Sequence, residues 1–239
     1  MNPIRNKCFA LWIYRKFRRN RLKIKGRMKT VKHEWKKDEK GIYMPKNKPE
    51  FVKIPEFKFF MIQGSGNPND DFFVEYVGVL YSLSYAVKMS PKAGISPKNY
   101  SEYTVYPLEG VWDISNKAKE NFTGKIDKDS LVFNLMIRQP DFVTLEFARE
   151  IIERTIKKKP HELLEKVRFD VIEEGKCIQM MHLGSYDYEL ESFNQMALFA
   201  KEHNLVRSSH QHREIYLSDA RKVNPEKLKT VLRFKVKHK

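Results

Sequence analysis

The sequence is poor in cysteine and has no long apolar run, and these two shortages exclude several classes of protein. Its 239 residues include two cysteines, Cys8 and Cys177, too few for the disulfide framework of a small secreted domain. The apolar run from Phe9 to Tyr14 falls far short of the ~20 residues that a membrane-spanning helix needs. It is also shorter than the core of a secretory signal, about 7–15 residues. We therefore expect a cytoplasmic protein that does not associate with membranes.

Acidic residues are missing from positions 1–27, which carry ten of the 46 Lys and Arg and so account for most of the net charge of +16. Residues 28–239 hold the other 36 basic residues against 30 acidic ones, an ordinary surface balance. This body needs no nucleic acid to explain its charge, although the 1–27 arm could contact nucleic acid or anionic lipid. Charge-rich termini without an apolar stripe usually stay disordered. We therefore predict a disordered extension over 1–27, with Met28 as an alternative start, and a domain over 28–239.

Apolar residues make up 41% of the chain and aromatic residues 13%, enough for a packed core. Apolar periodicity and turn residues predict strands at 57–62, 103–106, 110–114, 130–138, 176–183, 211–217 and 228–236. Helices are predicted after Asp70 or Asp71, over 142–158, and from Asp187. The apolar stripe of the first helix consists of Phe73, Tyr76, Val77, Leu80, Leu83, Ser84 and Val87. Residues 36–50 are rich in charge, proline and glycine, and we interpret them as a solvated lead-in with order beginning near Phe51.

Two parts of the chain repeat the same pattern. Met-Ile-Gln-Gly-Ser at 61–65 corresponds to Met-His-Leu-Gly-Ser at 181–185, and an acidic helix start follows each. The later strands 104–106 and 214–216 both end in Tyr. This pattern indicates two related β-α-β-β units, with the 142–158 helix inserted between them. The strands cluster rather than alternate strictly with helices, so the fold class is α+β with antiparallel pairing.

The 211–217 strand carries the most informative side chains. A period of two places His212, Glu214 and Tyr216 on one face, and Glu is uncommon in strands. One interpretation is an amphipathic strand with Glu214 facing solvent. The other is a carboxylate in an aromatic cleft, equipped for binding a cation or for acid–base chemistry.

Aromatic residues are concentrated between positions 76 and 112, and core packing is the default role of each. Together they would form a wall for a flat or cationic ligand. Our candidate ligand-binding residues are Tyr81, Tyr85, Tyr106, Trp112, His182 and Tyr216. His210 and His212 could clasp a metal, but no cysteine or acidic pattern completes a ligand set. We expect neither a metal site nor a cofactor.

Three segments resemble one known family. Residues 212–219 (His-Arg-Glu-Ile-Tyr-Leu-Ser-Asp), 225–230 (Pro-Glu-Lys-Leu-Lys-Thr) and 106–112 (Tyr-Pro-Leu-Glu-Gly-Val-Trp) are similar to signatures of the GyrI-like small-molecule-binding domains. The likeness covers roughly 29–239 and is greatest to the stand-alone branch. It implies a curved antiparallel sheet with a central ligand cleft between the two halves and helices packed on the other face. Glu214 stands at the position of the family's pocket glutamate.

The resemblance also implies a range of functions. The family includes drug-sensing domains of transcription regulators, a gyrase inhibitor, and stand-alone enzymes that hydrolyse cyclopropane rings of genotoxic compounds. We therefore expect a protein that binds planar aromatic or cationic small molecules and hydrolyses such rings by means of water activated by Glu214. The alternatives are a non-catalytic protein that binds and sequesters many drugs, and an interaction protein similar to the gyrase inhibitor.

Overall fold

The computed structural model of the chain describes residues 21–24, 27–30, 32–121 and 127–239. Its strands are β1 (Arg21–Ile24), β2 (Arg27–Thr30), β3 (Glu50–Ser65), β4 (Leu108–Ile114), β5 (Leu131–Gln139), β6 (Arg168–Leu183), β7 (Leu205–Arg207), β8 (His212–Tyr216) and β9 (Lys229–His238). Its α-helices are α1 (Trp35–Asp38), α2 (Lys40–Tyr43), α3 (Phe72–Met89), α4 (Asn116–Glu120), α5 (Leu145–Lys158) and α6 (Glu189–Glu202).

Six antiparallel strands form a closed barrel. They follow the order β6-β3-β5-β4-β8-β9, and β9 pairs again with β6. The short strand β7 adds to the outside of β9. Units β3-α3-β4-β5 and β6-α6-β8-β9 have the same element order, and α5 lies between them in the chain. The predicted α+β class and the duplicated β-α-β-β unit are confirmed.

Strands β3 and β6 are each 16 residues long, far longer than the predicted segments 57–62 and 176–183. The amino-terminal part of β3 pairs with β6, and its carboxy-terminal part pairs with β5 inside its own unit. These two long strands therefore join the halves of the barrel. Charged residues in 50–56 and 168–176 concealed these extensions from a search for apolar periodicity.

The two long helices that belong to the repeated units pack on the outer face of the barrel. Helix α3 buries Leu80, Leu83 and Val87 against Phe60 and Ile62 of β3, which confirms the predicted apolar stripe. The corresponding helix α6 packs over the second unit in a separate, smaller apolar cluster. Strands β4 and β8 lie between the parts of the outer face on which α3 and α6 pack, and Phe73 of α3 and Glu189 of α6 reach over them.

The inner face of the barrel holds a network of buried charges. Arg213 donates to Glu109 Oε2 at 2.7 Å, and its Nε lies 2.9 Å from Glu174 Oε1. Arg233 donates to Glu174 Oε2 at 3.1 Å and to Gln179 Oε1 at 2.8 Å. Burial by itself would raise the pKa of Glu174, but the two guanidinium groups hold that pKa below its usual value. Burial also raises the pKa of Glu109, although the charges of Arg213 and Arg233 oppose that shift.

The predicted solvated lead-in at 36–50 is wrong. Trp35 and Tyr43 are buried, and their rings pack at a centroid distance of 5.3 Å. The carbonyl of Gly41 accepts from Gln179 Nε2 at 2.9 Å, and that of Ile42 accepts from Arg233 Nη2 at 2.7 Å. The segment is ordered because its backbone supplies acceptors that the buried network requires, a role that its composition does not reveal.

The predicted strand at 103–106 is also wrong. Its backbone joins no sheet and instead makes an isolated bridge with His33. Trp35 Nε1 donates to the Val105 carbonyl at 2.9 Å. The alternating pattern is real, but these residues pair with the amino-terminal segment rather than with the barrel.

The predicted extension over 1–27 lies mainly outside the described residues. Its described part, β1, pairs with β2 as an antiparallel two-stranded sheet. In the portions of the chain that the structure covers, none of the helices combines the length and the apolar character required to cross a bilayer.

Candidate functional site

The site lies on the outer face of the barrel, where β4 and β8 pair between α3 and α6. The register places Glu214 opposite Gly110, and His212 opposite Trp112. Because side chains alternate along each strand, these outward positions of β4 and β8 share one surface. The period of two had predicted this common face for His212, Glu214 and Tyr216.

Aromatic side chains form the two walls of this surface. Phe73 of α3 stacks on Trp112 with ring centroids 6.0 Å apart. On the opposite side Tyr186, in the turn before α6, meets Tyr216 edge to face at 5.9 Å. These rings flank a floor formed by the two central strands, one side from each repeated unit, and we call this surface the Glu214 cleft.

Hydrogen bonds hold both carboxylate oxygens of Glu214, which is only 9% exposed. Tyr216 Oη donates to Oε2 at 2.7 Å, and His212 Nε2 lies 2.9 Å from Oε1. Trp112 Nε1 donates in turn to Tyr216 Oη at 2.8 Å. Burial and the charge of Glu214 raise the pKa of Tyr216 well above its usual value, so the phenol remains a donor at neutral pH.

Gly110 allows this chain of hydrogen bonds to form. A Cβ atom at this position would lie 2.7 Å from Trp112 Nε1, closer than two such atoms can approach. The indole can therefore lie flat over the strand and reach Tyr216 only because residue 110 has no side chain.

Glu189, which the sequence interpretation missed, completes the site. It is the first residue of α6 and is 8% exposed, and its carboxyl oxygen lies within 4.8 Å of the nearest ligand atoms of His212 and Glu214. Burial, followed by the charge of Glu214, raises the pKa of Glu189 to about 10. Its Oε1 is buried without a hydrogen-bond partner among the residues described. Burial beside a second carboxyl group therefore favours the protonated form of Glu189 at neutral pH.

A local sequence signal for Glu189 does exist, but it points elsewhere. An acidic residue in the first turn of a helix normally complements the helix dipole at the surface. Only the packing of α6 against β6, β7 and β9 brings this residue close to Glu214, which is far away in the chain.

Replacing Glu189 tests its protonation. The folded protein holds a proton that the unfolded chain releases above its ordinary pKa of 4.5. The stability that this proton contributes is therefore complete below that pH and is lost as the pH rises toward 10, by up to about 1.4 kcal/mol per pH unit. Glu189→Gln cannot lose a proton, so its Tm should exceed that of the wild type increasingly from about pH 5 to about pH 9. Thermal denaturation measures this difference.

The exposed Glu191, two residues along α6, supplies the control. Glu191→Gln should follow the wild-type pH profile. A Tm difference between Glu189→Gln and wild type that does not grow with pH would show that Glu189 is ionised in the folded protein.

The site could also hold a cation, since Glu189, His212 and Glu214 each offer one ligand atom within 4.8 Å of the others. Two carboxylates and an imidazole suit several divalent metals. A proton on Glu189 also removes the repulsion between the two carboxyl groups, without a bound cation. The expected absence of a metal stays a prediction.

The structure places Tyr106 away from Glu214. Its hydroxyl donates to Glu39 Oε1 at 2.8 Å, and the Arg138 guanidinium lies 4.5 Å from the centre of its ring. Arg138 also bonds to Glu39 at 2.5 Å. Tyr106 thus fastens the amino-terminal segment to the barrel.

His182 lies in β6, two strands from Tyr216, because both residues pair with Thr230 of β9. Its Nδ1 lies 3.0 Å from Ser192 Oγ, and its Nε2 lies 3.0 Å from the Ser185 carbonyl. Nδ1 therefore joins β6 to α6, and Nε2 holds the turn that follows β6.

Tyr81 and Tyr85 line a separate cavity beside the cleft. Of the candidate residues, the structure thus brings together Glu214, Trp112 and Tyr216, with Tyr81 and Tyr85 adjacent.

Comparison with solved structures reveals two similar proteins of Listeria innocua. One, described as a hydrolase, is 37% identical with a TM-score of 0.77 and covers 86% of this chain and 100% of its own. The other, described as an uncharacterized conserved protein, is 39% identical with a TM-score of 0.78 and the same coverage. The EcmrR C-terminal domain, 11% identical with a TM-score of 0.50, covers 80% of this chain and 98% of its own and shares only the fold.

No curated protein matches the chain significantly. A family model described as the GyrI-like small molecule binding domain matches residues 47–237, which include every strand of the barrel except the last residue of β9. The match also contains all four residues of the Glu189, His212, Glu214 and Tyr216 cluster. This chain therefore belongs to the GyrI-like family of small-molecule-binding domains.

Proposed function

We propose that this protein binds a planar aromatic small molecule in the Glu214 cleft and hydrolyses a cyclopropane ring conjugated to a carbonyl group. The observation that carries the proposal is the pair formed by Glu214, whose two oxygens are both held, and the buried Glu189, whose carboxyl oxygen lies within 4.8 Å of it. Membership of a small-molecule-binding family and similarity to a protein described as a hydrolase support it.

The two carboxyl groups can position one water molecule. Glu214 accepts one of its protons, while the unpartnered Oε1 of Glu189 accepts a hydrogen bond from the other O–H. Held in this way, the water oxygen can point toward a ligand lying between the walls. A general base of this kind contributes about 10²–10⁴-fold to a rate, and orientation contributes further.

The reaction needs neither a covalent nucleophile nor an oxidant. The water oxygen bonds to a cyclopropane CH₂ carbon, and the bond from that carbon to the conjugated ring breaks. Its electron pair moves through the ring to the carbonyl oxygen, which becomes a phenolate, while Glu214 takes the proton of the water. The phenolate is then protonated by solvent and Glu214 returns its proton, so the net change is the addition of one water.

The simplest probe is a cyclohexadienone with a spiro-linked cyclopropane. We expect the protein to convert it to a hydroxyethyl phenol faster than buffer does, with a mass gain of one water by mass spectrometry. In oxygen-18 water, the label should appear in the new hydroxyl group. A conversion rate equal to that of the heat-denatured protein would contradict the hydrolysis.

A second candidate function is binding without turnover. It is favoured by the exposed apolar side chains near the cleft, Val74 at 56%, Tyr188 at 71% and Leu190 at 70%, which resemble an open binding surface. Under this alternative the dienone would bind, with a change in the protein fluorescence, and be recovered intact.

A further inference from the structure

A cavity of about 340 Å³ lies between helix α3 and the loop that follows β8. Its lining residues are Val74, Val77, Gly78, Tyr81, Tyr85 and Arg221. Gly78 is in the middle of a helix, where glycine is unfavourable by roughly 1 kcal/mol relative to alanine. A Cβ atom at this position would meet nothing within 4 Å. The packing around position 78 therefore does not require a glycine, and the absence of a side chain there leaves room in the cavity.

The cavity adjoins the Glu214 cleft along helix α3, because Phe73, which stacks on Trp112, directly precedes the cavity-lining Val74. Burial raises the pKa of Tyr81 and the backbone N–H of Leu108 opposes that shift, and Leu108 is paired with Tyr216 across β4 and β8. The negative charge of Asp219 raises the pKa of both Tyr81 and Tyr186. The loop after β8 therefore lies near both walls. Tyr81 thus stands over the end of the cleft floor and leads into the cavity.

Arg221 gives the far end of the cavity a defined chemistry. Its Nε and one Nη donate to the two oxygens of Asp219, each at 2.9 Å. This bidentate pair holds the guanidinium plane. The other Nη has no partner within the described ranges, and it remains a donor for an oxygen acceptor.

The aromatic lining of the cavity favours a flat group that lies between the Glu214 cleft and the Arg221 donor. Tyr81 and Tyr85 are one helical turn apart, with ring centroids at 6.3 Å, so they present two neighbouring faces along the same side of α3. Val74 and Val77 add aliphatic surface. A cavity of this volume accommodates an aromatic ring with a small substituent, at the lower end of ligand pockets.

From these observations we infer that the cavity is a second subsite, which binds an aromatic arm of the ligand that ends in a carboxylate or carbonyl oxygen. The inference rests on the proposed binding of the ligand's first part beside Glu214. It makes the preferred ligand an elongated planar molecule, with its reactive or cationic part at Glu214 and its acceptor at Arg221.

Calorimetry with two probes tests the subsite in the full chain. One probe is aminoacridine, a short planar cation, and the other is the same acridine extended by a para-carboxyanilino arm. The extended probe should bind the wild type about tenfold more tightly, the effect of one good aromatic contact. Gly78→Leu fills the cavity and should abolish this advantage while leaving the affinity for aminoacridine unchanged. Gly78→Ala, the matched control, should retain the advantage.

Arg221→Gln separates the acceptor from the ring. It should lower the affinity for the extended probe by about threefold, as expected for an exposed ion pair. The affinity for a probe whose arm lacks the carboxylate should not change. Two results would overturn the subsite. One is that the extended probe still binds Gly78→Leu more tightly than aminoacridine does. The other is that the two probes bind the wild type with equal affinity.

The proposed function fails by a different result. If Glu214→Gln leaves the affinity for aminoacridine unchanged, the cation does not bind beside Glu214. In that case the subsite would still be supported if the extended probe bound Gly78→Leu no more tightly than aminoacridine does.

Discussion

Glu214→Gln should reduce kcat for the spirocyclopropyl dienone by at least about 100-fold, because it removes the general base that takes the proton of the water. The change preserves the shape of the side chain and leaves an amide oxygen that can accept from Tyr216 Oη, now 2.7 Å from the carboxylate. The dienone is neutral, so its KM should change far less than kcat, the pattern of an interaction made in the transition state. Steady-state kinetics by mass spectrometry measures both constants.

The controls separate catalysis from folding. Glu191→Gln removes an exposed carboxylate from α6 and should keep the wild-type kcat. A planar cation such as aminoacridine should bind Glu214→Gln more weakly, because its counter-charge is lost. A wild-type kcat in a folded Glu214→Gln variant would remove the catalytic role and leave a binding protein.

Glu174→Gln should cause the largest loss of stability that we expect from a single substitution. Glu174 lies between Arg213 and Arg233 inside the barrel, at 2.9 Å and 3.1 Å. Without its charge the two buried guanidinium groups lose the carboxylate that lies between them. Breaking a buried charge pair by removing one partner costs about 3–5 kcal/mol, and urea denaturation should show a loss of this size in the free energy of unfolding.

The neighbouring residue on the same strand provides the comparison. Glu173 is exposed, and Glu173→Gln should stay within about 0.5 kcal/mol of the wild type. If Glu174→Gln unfolds at the same urea concentration as Glu173→Gln, the charges inside the barrel are compensated by groups other than Glu174.

Short-range patterns in the chain were enough to predict the central strand of the site. The alternation of His212, Glu214 and Tyr216 places them on one face whatever the strand pairs with, because the period belongs to the extended backbone. The repeated Gly-Ser turns at 64–65 and 184–185 likewise predict the duplicated unit, and the apolar stripe of α3 predicts which face it buries. These features are local, so no knowledge of the fold was needed to find them.

Other features depend on which segments the fold brings together. Tyr106 and Tyr216 end similar stretches of sequence, yet only Tyr216 reaches Glu214, because residues 102–104 pair with His33 instead of the barrel. The acidic start of α6 becomes a buried carboxyl group only where the fold brings it close to Glu214.

Composition, periodicity and motifs thus establish the α+β class, the repeat and Glu214 with its two strand neighbours. The barrel closure, the ordered segment before β3 and the pairing of Glu189 with Glu214 come from contacts between residues far apart in the chain. Burial is the physical reason for the difference. A charged residue has the same local pattern on a surface as in an interior, and its pKa and its partners are set only when distant strands and helices exclude water around it.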